Sequence, residues 1–248
     1  MESVTTVEKA VDVLFHLHAE SAAQGVTAVG RALGLPKSST HRLLSALARR
    51  GLVERDERGR YRPGIGLVAL GLGALGSEPV VAAARPVLEA EADALEETVF
   101  LVAARAGRLV VLDKAEGSGF LRAAPRVGSS VPVHATAVGK LYLAFGDGVV
   151  ETPAGVFERF SSRTATDAGA LSREVDRAAS LGFAENREEW IPGLRVVAAP
   201  ILVSGRMLGA LAVAATTPRM QTLGGRVVAR RAVAAADRVA ARLEGRGA

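Results

Sequence analysis

Gly34-Leu35-Pro36-Lys37-Ser38-Ser39-Thr40-His41-Arg42-Leu43-Leu44 is the stretch on which the fold turns. Gly34 is a helix stop. Pro36 suits the start of a new helix, because the N–H it lacks is not needed in the first turn. Apolar spacing carries that helix on to Arg50, and Gly51 ends it. On a wheel of about 100° per residue, Thr40, Leu43, Leu44 and Leu47 fall on one side. Ser38, Arg42, Ser45 and Arg49 fall on the other, with His41 at its flank. The first side is built for a core; the second presents donors suited to phosphates and guanine edges. Taken alone, such a side is also what any solvated surface helix has.

Working outward, Val4, Val7, Val11, Leu14 and Leu17 recur at helical spacing up to about Ala19. A loop from Ser21 to Val26 follows, then Thr27 as cap of a second helix running to Leu33. Beyond the third helix, Leu52-Val53-Glu54-Arg55 and Arg60-Tyr61-Arg62 flank Asp56-Glu57-Arg58-Gly59, the pattern of a short hairpin. Three helices with a tight Gly34 turn, closed by a basic hairpin, describe a winged helix-turn-helix over residues 1–65. Charge agrees. Residues 36–62 hold Lys37, Arg42, Arg49, Arg50, Arg55, Arg58, Arg60 and Arg62 against only Glu54, Asp56 and Glu57. A local basic excess of this kind is the electrostatic footprint of nucleic-acid binding.

The whole chain has 248 residues and a net charge of +5, almost all of its positive charge carried by arginine. Length points to one or two domains, and 49% hydrophobic residues exclude general disorder. Aromatics make up only 4%, so Ala, Val and Leu must build the core. There is no cysteine, which removes disulfides, thiolate zinc sites and cysteine nucleophiles and fits a reducing cytoplasm. Four histidines leave little room for a metal site, and none is expected. No apolar run reaches the roughly 18 residues of a membrane span, and the N-terminus lacks a signal peptide's basic segment.

Residues 66–78 read as an apolar linker helix. Within it, Gly71-Leu72-Gly73-Ala74-Leu75-Gly76 matches a dinucleotide fingerprint, with Glu91 and Asp93 near the distance of a ribose-binding acid. The context argues against a cofactor: Ser77-Glu78-Pro79 intervenes before the next helix, and no βαβ repeat follows. Residues 79–248 alternate helices and strands in an α+β pattern around an antiparallel sheet. Helices are expected over Val80–Glu97 with a kink at Pro86, over Ala137–Phe145, from an Asp167 cap to Leu181, and from Arg219 to the end. Strands are expected over Thr98–Arg105, Arg108–Lys114, Phe183–Arg187, Leu194–Val203 and Met207–Ala214, with a short extended piece at Leu121.

The motif opened above closely resembles the DNA-binding signature of the IclR family of bacterial transcriptional regulators. Tyr61-Arg62-Pro63-Gly64 resembles that family's wing end, and Arg85-Pro86-Val87-Leu88 with Glu97-Thr98-Val99 the start of its effector domain. Gly128 and Pro132 to Lys140 resemble its central motif; Glu189 and Gly193 to Pro200 resemble its C-terminal signature. The resemblance implies a winged helix joined by a linker helix to a GAF-like ligand-binding domain. It implies a homodimer or homotetramer on a pseudo-palindromic double-stranded operator, more often repressing than activating, and a small-molecule effector. DNA contacts are then expected from Lys37, Ser38, Ser39, His41, Arg42 and Arg49 on the recognition helix and from Arg58 and Arg60 on the wing. The effector pocket maps onto Ala137, Val138, Asn186, Val196, Ala212 and Ala214. Val196 stands where the family usually has Cys, and Gly30 where its second helix usually has Glu. Methyl groups at Val138, Val196, Ala212 and Ala214 point to a pocket less polar than the family's usual one.

An enzyme is the rival from another class. Its only histidine in the second segment is His134, there is no GxSxG elbow, and no partner for His134 is placed by spacing. The adjacent Glu188 and Glu189 would face opposite ways on a strand. Lys140 reads either as an anion binder or as a solvated helix residue. The chain is therefore expected to be no enzyme and to need no cofactor. A further rival is an interaction domain without a small ligand, its basic segment serving only non-specific DNA.

Overall fold

The computed structural model describes residues 5–119, 126–150, 152 and 154–245, and the chain forms two compact units, Met1–Ser77 and Glu78–Ala248. In the first unit, α1 (Thr6–Ala19), α2 (Val26–Ala32) and α3 (Lys37–Arg49) are followed by the antiparallel strands β1 (Val53–Arg55) and β2 (Tyr61–Pro63) and then α4 (Ile65–Gly76). Thr5 and Glu8 form a reciprocal capping box that starts α1. Val13, Leu17, Val29, Leu44, Leu47, Val53 and Tyr61 close a small core. Thr40, Leu43, Leu44 and Leu47 are the buried face of α3, as the wheel requires.

Thr27 does not cap α2. The cap is Gly25, whose carbonyl accepts from Val29 N, and the helix begins at Val26. The cause lies one residue earlier. Gln24 and Tyr61 exchange backbone hydrogen bonds of 2.8 and 2.7 Å, which pins the loop to β2 and sends the chain directly into the helix. Gly30 is set by packing: a Cβ there would lie 2.9 Å from both Leu35 O and Thr40 Oγ1, so only glycine lets α2 approach the turn and α3 this closely. The glycines of the dinucleotide-like motif lie inside α4, with no strand-to-helix turn to cradle a phosphate. Glu91 is no ribose ligand either. It is buried and paired with Arg231 and Arg238 at 2.8 and 2.7 Å.

The second unit is an antiparallel six-stranded sheet of order β5-β4-β3-β8-β7-β6. Its strands are β3 (Thr98–Arg105), β4 (Arg108–Ala115), β5 (Ser130–Val131), β6 (Ala184–Arg187), β7 (Leu194–Val203) and β8 (Arg206–Thr216). Alternation sorts the side chains into two cores. Val99, Leu101 and Ala103 join Val197, Ala199, Leu211 and Val213 beneath α5 (Pro79–Leu95) and α9 (Gly225–Leu243). Phe100 and Val102 join Ala198, Ala210, Ala212 and Ala214 beneath α6 (Ala137–Phe145), with Ala178 of α7 (Ala168–Leu181). Asp167 caps α7 and Gly182 ends it with a left-handed φ of 72°.

The helix expected from Arg219 onward is two helices. α8 (Thr217–Leu223) is capped by Thr216, and Gly224, at φ 80°, breaks the chain before α9. The two-residue β5 is too short to give a periodic signal in the sequence. Val4 and Leu121, both assigned roles from sequence, lie outside the described residues. Among the described residues no single helix is long and apolar enough to cross a membrane.

Candidate functional site

In the first unit, Lys37, Ser38, His41, Arg42 and Arg49 are exposed along α3, opposite its buried leucines, and Ser39 is half-buried. Ser39, His41, Arg42, Ser45 and Arg49 line one open concavity together with Thr6 and Lys9 of α1. Lys9 is a residue that the sequence reading missed. Its signal was slight: one of four lysines in an arginine-rich chain. On the hairpin, the arginines differ in what holds them. Arg60 donates from Nε to Asp56 at 2.9 Å, Arg62 pairs with Glu54 at 3.0 Å, and Arg55 lies over the Tyr61 ring. The Arg58 guanidinium has no partner among the described residues, while its backbone N–H donates to Asp56. The Asp56 carboxyl is held below the ordinary carboxylate range, first by the Arg60 backbone N–H and then by the Arg60 side chain, against an opposing desolvation. Asp56 therefore ties the hairpin tip with three hydrogen bonds, from Arg58 N, Arg60 N and Arg60 Nε.

In the second unit, Ala137, Val138, Asn186 and Val196 come together around one nearly filled cleft, with a free interior of only about 20 Å³. Its other walls are Phe100, Val131, Thr136, Trp190, Ile191 and Leu194, which the sequence reading did not name. Trp190 was findable as the only tryptophan, close before Pro192-Gly193. Ala212 and Ala214 do not line the cleft. They lie on the same sheet face, fully buried, with Ala214 the register partner of Val196 and Ala212 that of Phe100. Small side chains at these two positions set the floor on which the lining rests.

Polar groups around this cleft are few and mostly occupied. The Asn186 amide donates to Ala135 O and accepts from Glu189 N at 3.1 Å. Thr136 Oγ1 donates to Pro132 O at 2.7 Å and accepts from Gly139 N at 3.1 Å, capping α6. The N–H groups of Ala137 and Val138, in the first turn of α6, have no intrahelical acceptor. Gly139 is obligatory, because a Cβ there would collide with Val133 O.

Lys140 is neither a solvated residue nor an open anion site. It is 1% exposed, and its Nζ donates to Glu189 at 2.8 Å, to Glu185 O at 2.9 Å and to Glu174 at 3.3 Å. The helix buries this position because α6 packs against α7 and β6 on that side. Glu188 turns away with a left-handed φ of 66° and accepts from Thr217 Oγ1 at 2.7 Å. His134 is buried against Phe157 and Phe160, and its Nε2 lies 2.8 Å from Glu158 O, the contact of a structural histidine. Among the described residues no group of His, Asp and Glu is placed to hold a metal.

The two units also match two family models. Residues 6–57 match the IclR helix-turn-helix domain, and residues 72–241 match the bacterial transcriptional regulator IclR C-terminal domain. The chain is 31% identical over 227 residues to the HTH-type transcriptional regulator XynR of Escherichia coli K12, covering 89% of each chain. It is 30% identical to the DNA-binding transcriptional repressor YiaJ of the same organism, over 77% of this chain and 71% of YiaJ. Its fold resembles that of an IclR homologue of Microbacterium hydrocarbonoxydans solved with 4-hydroxybenzoate (TM-score 0.80, 24% identity, 97% and 100% coverage). From its first helix to α9, this chain belongs to the IclR family of bacterial transcriptional regulators.

Proposed function

We propose that this regulator is a repressor that binds a pseudo-palindromic operator as a homodimer or a dimer of dimers, in the cytoplasm, under the control of a small molecule in the second unit. Residues 1–65 are the DNA reader, 66–78 the linker and 79–248 the effector domain. The observation that carries the reading is the two-sided α3, with leucines packed inward and Lys37, Ser38, His41, Arg42 and Arg49 free on the outside. Such a helix fits the major groove, where arginine reads guanine and serine and lysine hold phosphates. Arg58 at the hairpin tip adds a phosphate contact. YiaJ, a repressor by name, supports the sign of regulation.

Dimer formation is supported by uncovered apolar surface on the first unit. Val7, Val11 and Phe15 form a stripe along α1 that is 42–72% exposed, and Ile65, Val68 and Leu72 form another along α4. A two-fold pairing through such faces would place two α3 helices on successive half-sites. The effector that fits the cleft has an aromatic or aliphatic body and one carboxylate or hydroxyl end. Its body lies among Phe100, Val138, Trp190 and Val196, and its polar end is met by the Ala137 and Val138 N–H groups and the remaining capacity of Asn186. The 4-hydroxybenzoate of the Microbacterium homologue shares the aromatic body and the carboxylate end, and carries a hydroxyl at its far end besides.

The test is selection of duplexes from random-sequence DNA by the full chain, followed by footprinting. Two protected half-sites related by a dyad are expected. A single unpaired half-site, or no enrichment, refutes the reading.

A further inference from the structure

α6 carries the cleft's Ala137 and Val138 in its first turn and Tyr142 one turn later. Tyr142 is 2% exposed, and its hydroxyl oxygen accepts a hydrogen bond from Ala104 N at 2.9 Å. The pairing of β3 with β8 stops at Val102, opposite Ala210, so the phenol supplies an acceptor just beyond the point where β8 leaves the strand. Residues 103–105 are held in the sheet by β4 alone. Next along β3, Arg105 donates from Nη1 to Ala104 O at 2.8 Å, and its guanidinium grips both oxygens of Glu78. This grip holds the Glu78 carboxyl below its ordinary range. Glu78 is the N-cap of α5 and the first residue of the second unit, separated from the end of α4 only by Ser77.

We propose that Tyr142 is the positioning residue that couples the apolar cleft to the linker, acting through Ala104, Arg105 and Glu78. The proposal rests on the cleft being the effector site and α3 the DNA reader. A ligand met by the first turn of α6 bears on the helix that carries Tyr142. The phenol–amide bond is either made or broken, and it sits on the least supported stretch of β3. A shift there moves Arg105, and with it the carboxylate that fixes where α5 begins. Coupling between two binding sites is reciprocal, so DNA on the first unit must alter the cleft as much as a ligand alters DNA binding.

That reciprocity allows a test without knowing the effector. Trp190 is the only tryptophan and forms part of the cleft wall, so its emission reports on the cleft. The probe is a duplex selected from random-sequence DNA by the full-length chain. Adding it to the wild type should change Trp190 emission. Tyr142→Phe and Arg105→Gln should bind the same duplex within about twofold of wild type, yet lose most of the emission change at saturation. Arg85→Gln, which breaks two ion pairs off this route, to Glu89 and to Asp113, should respond as wild type. A residue of merely structural importance would weaken duplex binding and leave the saturating response in place, so that pattern overturns the proposal. A full response in Tyr142→Phe or Arg105→Gln, or a wild type that binds the duplex without any response, overturns it too. If Tyr142→Phe does not fold, Arg105→Gln carries the test alone. If no duplex is selected, the DNA-binding reading itself fails, and the coupling falls with it.

Discussion

Lys140 Nζ lies 2.7 Å from Glu189 Oε2, with the lysine side chain 1% exposed and the glutamate 12% exposed. This ion pair joins α6 to the turn between β6 and β7, the segment that carries Trp190 and Ile191 over the cleft. The same turn is held through Glu189 O, which accepts from Thr164 Oγ1 at 2.6 Å, and through Glu189 N, which donates to Asn186. Breaking a buried pair from one side strands a charge and costs about 3–5 kcal/mol. Lys140→Met should therefore lower stability by about that much in denaturant unfolding. Lys140→Met combined with Glu189→Leu should cost clearly less than the two single changes added together. Strict additivity would mean that the pair does not act as a unit.

Lys140 also marks how far the sequence could be read. Periodicity placed α3 and its buried leucines, and alternation placed β3, β4, β7 and β8, because those signals are local. Whether a lysine on α6 faces solvent is decided by Glu189 and Glu174, 49 and 34 residues away along the chain. No window of sequence contains that information. The same holds for the cleft. Ala137, Val138, Asn186 and Val196 were named through family motifs, and the structure does bring them together. Phe100 and Leu194 read only as strand residues until the sheet register sets them on the same face. α8 escapes the sequence for a different reason: the pattern from Arg219 runs through Gly224 as one helix, although the positive φ of Gly224 divides two.

The hairpin arginines should separate in a salt titration. Arg58 is free to reach a phosphate, whereas Arg60 is committed to Asp56. The log–log slope of affinity against salt is about −0.9 per phosphate neutralised. Arg58→Ala should reduce the slope by about one unit and weaken all sequences alike. Arg60→Ala should change the slope less and instead loosen the hairpin tip. Equal slope changes would mean that Arg60 leaves Asp56 to bind DNA.

Gly30→Ala opposes two effects. Alanine favours the helix by about 1 kcal/mol, but its methyl would sit 2.9 Å from Leu35 O and from Thr40 Oγ1. The first of these is backbone and cannot swing aside. Overpacking of a tight contact costs about 1–3 kcal/mol, so the clash should win. Thermal unfolding of the first unit should shift down, and duplex binding should weaken because α3 is displaced from α2. A stabilised variant would show that the α2–α3 turn yields easily.

The wing should be acid-sensitive with a defined sign. Hydrogen bonds to the ionised Asp56 depress its folded-state pKa below the unfolded value. Its stabilising contribution is thus present above the unfolded value and is lost as pH falls through the folded one. NMR titration between about pH 5 and pH 2 should find the Arg58 and Arg60 amide resonances moving together with the Asp56 carboxyl, below the range of exposed aspartates. Asp56→Asn should abolish that common titration. If Asp56 titrates with the other surface carboxyls, the Arg60 contact is not maintained in solution.

The cleft makes the sharpest statement about ligands. Its walls are Phe100, Val131, Val138, Trp190, Ile191, Leu194 and Val196, and its polar side chains, Asn186 and Thr136, are already engaged. A two- or three-carbon oxo-acid would bury two polar ends where the helix start serves only one. A polar group left unpaired loses about 1–3 kcal/mol on burial. Once the walls part to admit it, since the free interior is only about 20 Å³, benzoate would place its one carboxylate at the Ala137 and Val138 N–H groups and its ring among the apolar side chains. Calorimetry with the full-length chain should therefore register heat for benzoate, less for 4-hydroxybenzoate, whose phenol is a second polar end, and little for glyoxylate or pyruvate. Val196→Ser removes apolar contact worth about 0.8 kcal/mol per buried methylene-sized group. That change should weaken the aromatic acids roughly tenfold, a loss of about 1.4 kcal/mol, and should narrow their advantage over the oxo-acids. Tight binding of glyoxylate that is indifferent to Val196→Ser would place the ligand elsewhere than in this cleft.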